Sequence, residues 1–137
     1  MAGPGFPTSE TSDQQTISVA NTNWDGTTGT YATLATGTSS GRKKVYMVKF
    51  NSTVTTATGA DIIKLFKKNG SRAQFAGFAI VQPSGAPGVG PPPTVAPHGL
   101  CYIIGGKVEL PTTSDTLIAS THAGITYELT AEGEVYA

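Results

Sequence analysis

Asn69-Gly70 stands between two runs rich in apolar and β-branched residues, Ala60–Lys68 and Arg72–Val81. This pair constrains the fold more than any other feature, because Asn-Gly readily takes the positive φ that a tight antiparallel hairpin needs. Asp61 to Phe66 alone would also fit a turn and a half of helix. The Asn-Gly that follows, and the strand-like run beyond it, favour a hairpin.

Most of the chain repeats this pattern of short extended segments and turn residues. Gln15–Thr22 offers Ile17 and Val19 in alternation with polar side chains, and Gly29–Ala35 holds Tyr31 and Leu34. Lys44–Asn51 is apolar on both faces, as a central strand must be. Cys101–Ile104 and Lys107–Leu110 flank Gly105-Gly106, and Asp115–Ser120 comes next. Ile125, Tyr127, Leu129 and Ala131 then alternate with Thr126, Glu128, Thr130 and Glu132, the period of a half-buried strand. About eight short strands at turn spacing predict an all-β fold, a β-sandwich or jelly-roll-like single domain. A chain of 137 residues suits one core.

Two stretches fall outside the pattern. Residues 1–15 contain Gly3, Pro4, Gly5 and Pro7 with few apolar side chains, and predict an extended N-terminal arm anchored on another subunit by Phe6. The domain proper is then 16–137. Within it, Pro83–Gly99 carries six prolines and four glycines, a polyproline-like loop that cannot join a sheet ladder.

Net charge is zero but unevenly spread. Residues 1–41 carry three acids and no base. Residues 42–72 carry eight bases against Asp61, and residues 73–137 are net acidic, with Lys107 as their single base. The basic block predicts contact with an acidic protein surface through Arg42, Lys43, Lys64, Lys67, Lys68 and Arg72, the simpler reading being a solvated strand edge. A sequence pI of about 6.7 and the lack of any nucleic-acid motif argue against DNA or RNA.

Residues with reactive side chains are sparse. Cys101 is the single cysteine, which excludes an internal disulfide and a cysteine-based zinc site, and its apolar neighbours predict a buried side chain. His98 and His122 are far apart in sequence and are expected to face solvent from a loop and a turn. Gly85-Ala-Pro-Gly-Val-Gly lacks the Lys-Ser/Thr of a phosphate loop. Glu132 and Glu134 flank Gly133 at an expected turn. No catalytic residue, metal site or cofactor is therefore expected. The absence of an apolar run or leader predicts a chain made in a cytoplasm, with no membrane partner. Trp24, Tyr31, Tyr46 and Tyr102 could provide stacking faces for a carbohydrate; core burial is the simpler expectation for each.

Asn23-Trp24-Asp25-Gly26-Thr27-Thr28-Gly29-Thr30-Tyr31-Ala32-Thr33-Leu34-Ala35-Thr36-Gly37, then Gly41-Arg42 and Val45 to Phe50, resembles a strand and turn found in a family of tailed-bacteriophage virion domains. Val54 to Asp61, Leu65-Phe66 and Asn69-Gly70 are similar to the hairpin that follows there. Leu110-Pro111, Asp115 to Ser120 and Ala131-Glu132-Gly133 are similar to its C-terminal part. The loop at 83–99 departs from the pattern. The resemblance implies a capsid decoration or cement protein, a β-sandwich that binds the major capsid protein on the outside of the virion, often as a homotrimer. Other virion roles (neck, tail or fibre base) and a carbohydrate-binding module are the alternatives.

Overall fold

A computed structural model describes residues 7–18, 20–52, 60–81 and 98–136. Among the described residues, ten strands form two antiparallel sheets. The strands are β1 (Pro7–Ile17), β2 (Ala32–Thr36), β3 (Arg42–Ser52), β4 (Asp61–Asn69) and β5 (Arg72–Val81). They continue as β6 (His98–Leu100), β7 (Tyr102–Ile103), β8 (Val108–Leu110), β9 (Asp115–Thr121) and β10 (Tyr127–Tyr136). The first sheet runs β1-β10-β3-β6, with β8 also on β3. The second runs β2-β9-β4-β5-β7.

The expected hairpin is β4–β5, with Asn69 opposite Arg72 and a loop of Gly70 and Ser71. Gly70 takes φ 59°, as a tight turn demands. Alternation then sorts the side chains. Ile63 and Leu65 of β4, Leu117 of β9, Val45 and Val48 of β3, and Leu129 of β10 are fully buried between the sheets. Each such side chain contributes about 2 kcal/mol through lost water contact.

Residues 98–110 lie along one margin of both sheets. β6 pairs with Lys49–Asn51 of β3 and β8 with Lys43–Val45, while β7 between them pairs with β5 of the opposite sheet. Cys101 marks the first crossing, its N–H donating to the Val48 carbonyl at 2.8 Å.

Two expectations are corrected. The described part of the predicted arm, from Pro7, is an edge strand of this chain's own sheet, paired with β10 through Ile17. Counting apolar side chains missed it, because an edge strand is held by main-chain bonds and needs few anchors. Ile17 is the anchor, fully buried. Phe6 and residues 83–97 lie outside the described residues; His98 and Gly99, the end of the expected loop, begin β6. Glu132-Gly133-Glu134, expected as a turn, is instead a register shift within β10, where the strand continues to Tyr136. A β-bulge supplies the glycine and the broken alternation that resemble a turn in sequence.

Candidate functional site

The structure divides the predicted contact residues. Lys64 and Lys43 turn away from solvent. Lys64 lies on the outer side of the second sheet but is fully buried, because residues 20–31 roof that side. Its ammonium donates to the carbonyls of Asn21 and Asn23 and sits 4.7 Å from the centroid of the Trp24 ring. Burial pushes its pKa down, opposed by the charge of Asp61. Lys43 donates to Asp13 of β1 at 2.6 Å and to the Thr36 carbonyl of β2 at 3.2 Å. It thus clamps the edge strands of both sheets. Neither lysine presents its side chain at the surface of this chain, and sequence alternation alone could not reveal what covers each of them.

The roof is pinned by its own polar side chains. Asn21 donates to the carbonyls of Thr28 and Thr30, and its Oδ1 accepts from the Asn23 N–H. Asp25 accepts from the Thr28 hydroxyl and from the N–H groups of Thr28 and Thr27. Those bonds, the Thr28 hydroxyl first, hold its carboxyl well below the usual carboxylate range.

Arg42, Lys67, Lys68 and Arg72 remain at the surface. Glu109 of β8 is approached by Lys107 at 3.5 Å, Lys44 at 3.8 Å and Arg42 at 4.0 Å. Lys67 joins Lys107, Glu109, Phe75 and Ile104 around a depression of about 320 Å³. It also joins Arg72, Asn69 and Asp25 around a second of about 520 Å³. Among the described residues, Lys67, Lys68 and Arg72 form no ion pair within 4.0 Å. The result is a basic end in which cations outnumber carboxylates. Lys44 and Lys107 were not among the expected contacts; Lys107 arrives from the acidic part of the chain, immediately before β8.

A row of aromatic rings lies on the outer side of the second sheet. Tyr31 meets Phe66 at 5.5 Å, Phe66 meets Phe75 at 5.5 Å, Phe75 stacks on Phe78 at 6.2 Å, and Phe78 meets Tyr102 at 5.8 Å. Trp24 packs edge-on against Phe75 at 5.8 Å. Trp24, Tyr46 and Tyr102 are exposed and Tyr31 is half-buried, so core burial fails for all four candidate stacking residues. Tyr46 stands apart on the first sheet, hydrogen-bonded to Tyr136 at 2.6 Å. Tyr136 in turn donates to Glu134, a bond that raises its pKa.

The remaining reactive side chains are scattered. His98 is exposed at the start of β6. His122 is not the solvent-facing residue expected: it is half-buried 6.3 Å from Trp24, with a buried Nδ1 that has no hydrogen-bond partner among the described residues. Among the described residues, no group of three His, Cys, Asp or Glu is placed to hold a metal. Cys101 is buried, and burial pushes its thiol up to about 12. A thiol reagent at neutral pH should leave Cys101 unmodified in the folded protein and react fully once urea unfolds it. Rapid native labelling would contradict the burial. Because the folded pKa lies above the ordinary value of 9.0, the contribution of Cys101 is complete below about pH 9 and lost as pH rises towards about 12.

Compared with protein-family models, curated proteins and solved structures, the chain matches none.

Proposed function

We propose that this chain is a structural virion protein, a decoration or cement protein that binds the outside of a tailed-phage capsid through its basic end. The observation that carries the reading is Glu109 approached by three cations, with Lys67 lining one depression with it and Arg72 lining a second with Lys67, while among the described residues Lys67, Lys68 and Arg72 form no ion pair within 4.0 Å. Such an end has an unmet preference for carboxylates, which an acidic region of the major capsid protein would satisfy. The resemblance across residues 21–135 supports the same role. So does the strand path, which we read as jelly-roll-like because the chain passes repeatedly from one sheet to the other.

On this reading the protein acts without chemistry. A ligand that binds only the assembled shell stabilises it by mass action, and an oligomer, here a homotrimer, multiplies weak contacts through effective concentration.

Reversal of Lys67, Lys68 and Arg72 to Glu should lower occupancy on purified heads by roughly tenfold or more and flatten its salt dependence. A single Lys→Ala change should matter little, since an exposed pair contributes only about 0–1 kcal/mol. If the triple variant binds heads like the wild type, the basic end is a solvated edge. Co-purification with tails alone would move the protein to a neck or tail role.

A carbohydrate-binding module is the second reading, favoured by the exposed rings of Trp24 and Tyr102 on one face. It requires saccharide-dependent quenching of Trp24 fluorescence, which the capsid reading does not.

A further inference from the structure

β5 is paired with β4 along its length, but its other edge is covered unevenly. There β7 pairs only with Gly77 and Phe78, and the chain then turns at Ile104–Gly106 and crosses to β8 on the first sheet. Among the described residues, no strand pairs with this edge along residues 72–76.

The hairpin turn fixes which groups that edge presents. Asn69 and Arg72 flank a two-residue loop and so exchange main-chain hydrogen bonds, as do Lys67 and Gln74 two positions along. The N–H and C=O of Ala73 and Phe75 therefore point the other way, to the open edge. Ala73-Gln74-Phe75-Ala76 contains neither a charge nor a proline, the residues that usually blunt an exposed edge.

The two sides of this edge differ in chemistry. Lys67 is the register partner of core Leu117 as well as of Gln74, so both polar side chains stand on the core side at the open end of the sandwich. They line the depression of about 320 Å³ with Ile104 and Gly105. Phe75 lies on the outer side, between Phe66 and Phe78 in the aromatic row. Among the described residues, Lys67, Lys68 and Arg72 have no carboxylate within 4.0 Å.

We propose that an extended segment of the partner, with acidic and apolar residues in alternation, adds to this edge as a further strand. Its carboxylates turn to the core side, towards Lys67, and its apolar side chains lie beside Phe75, as the period of a strand requires. Main-chain bonds to Ala73 and Phe75 supply affinity, and the alternation supplies selectivity. The inference rests on the capsid reading for its partner, an acidic region of the major capsid protein, and adds the form in which that region binds.

Hydrogen exchange of the full chain, followed amide by amide, tests the edge directly. In the free protein the Ala73 and Phe75 amides should exchange fast, and those of Arg72 and Gln74, bonded to β4, slowly. An acetylated peptide of about eight residues that alternates Glu and Val should slow the first two by roughly tenfold or more at millimolar concentration. A peptide alternating Lys and Val should leave them unchanged. Ala73→Pro removes an edge N–H and no bond to β4, so it should abolish peptide protection of Phe75 and lower occupancy on heads by roughly tenfold at an unchanged melting temperature. Ala73→Ser, which keeps the N–H, should behave as the wild type. Where Ala73→Pro fails to fold, exchange in the wild type decides alone.

Ala73 and Phe75 amides already protected in the free chain overturn the proposal, since the chain then covers its own edge. Protection that follows protein concentration without peptide does the same, because a second copy is then the occupant. Exchange that the acidic peptide leaves unchanged, or slows no more than the basic one, is equally fatal. Head binding separates the two readings. Occupancy lost on reversal of Lys67, Lys68 and Arg72 but kept by folded Ala73→Pro overturns the added strand and leaves the capsid role. Peptide protection in a protein that does not bind heads overturns the capsid role and leaves the added strand.

Discussion

Gly133→Ala should be among the most damaging single substitutions in the protein, lowering stability by about 3 kcal/mol or more. Gly133 sits at the β10 bulge, where a Cβ would lie 1.8 Å from the Lys44 carbonyl oxygen and 2.9 Å from the Val45 Cα. Both atoms belong to the backbone of β3, which β10, β6 and β8 hold on its two sides. Relief therefore requires β10 to lift off β3 or to lose its register. Gly70→Ala is the control, since Gly70 has open space around it and a φ of 59°. It should cost only about 1–2 kcal/mol, the strain of a left-handed alanine. Urea midpoints of the two variants make the comparison. A Gly133→Ala protein as stable as Gly70→Ala would mean that the bulge is not built this way.

Asp61→Ala should cost a similar amount, about 3–5 kcal/mol, for a different reason. Asp61 is almost completely buried and accepts from three donors. These are its neighbour Ile62 N–H at 2.8 Å, the Ala123 N–H at 2.7 Å and the Tyr127 hydroxyl at 3.2 Å. One carboxylate thus joins the start of β4, the connection after β9 and the start of β10. Its loss leaves the Tyr127 hydroxyl buried without an acceptor and removes the charge that supports Lys64. Asp61→Asn keeps an acceptor and should lose less. Tyr127→Phe combined with Asp61→Ala should cost less than the sum of the two, the mark of a shared bond. Strict additivity would count against the network. The same site has an alkaline signature. Burial, followed by the nearby Asp61 charge, raises the Tyr127 pKa above its ordinary 10.0, so its contribution is complete below about pH 10 and lost as pH rises further.

Much of the fold was legible because period-two alternation reports which side chains face a partner sheet. Arg72–Val81 is the strand the sequence predicted, and Asn69-Gly70 marked its turn. The edge strand β1 was not legible. Its sequence, Pro-Thr-Ser-Glu-Thr-Ser-Asp-Gln-Gln-Thr-Ile, has one apolar anchor at its end, and main-chain bonding to β10 leaves no trace in side-chain pattern. The candidate site was half legible for a related reason. Charge density pointed to Arg42, Lys67, Lys68 and Arg72, which are surface cations. The same reasoning included Lys64, whose surroundings depend on a segment 41 residues away in sequence that folds over its sheet. It missed Lys107, brought beside Glu109 and Lys67 by β8. Burial by a distant loop and assembly by a crossing strand are both tertiary events, and neither has a local signature.

Residues 98–110, bonded in turn to β3, β5 and β3 again, give the sandwich an uneven mechanical character. A load that slides one sheet over the other must strain pairings in both sheets at once along this margin. At the opposite margin the main-chain ladder of β1 runs to β10, with Pro7 beside Tyr136, and Lys43 of β3 holds Asp13 part-way along it. A pull that separates those two residues opens the ladder one pair at a time. The molecule is therefore stiff where its sheets are stitched together and compliant where β1 can be peeled away.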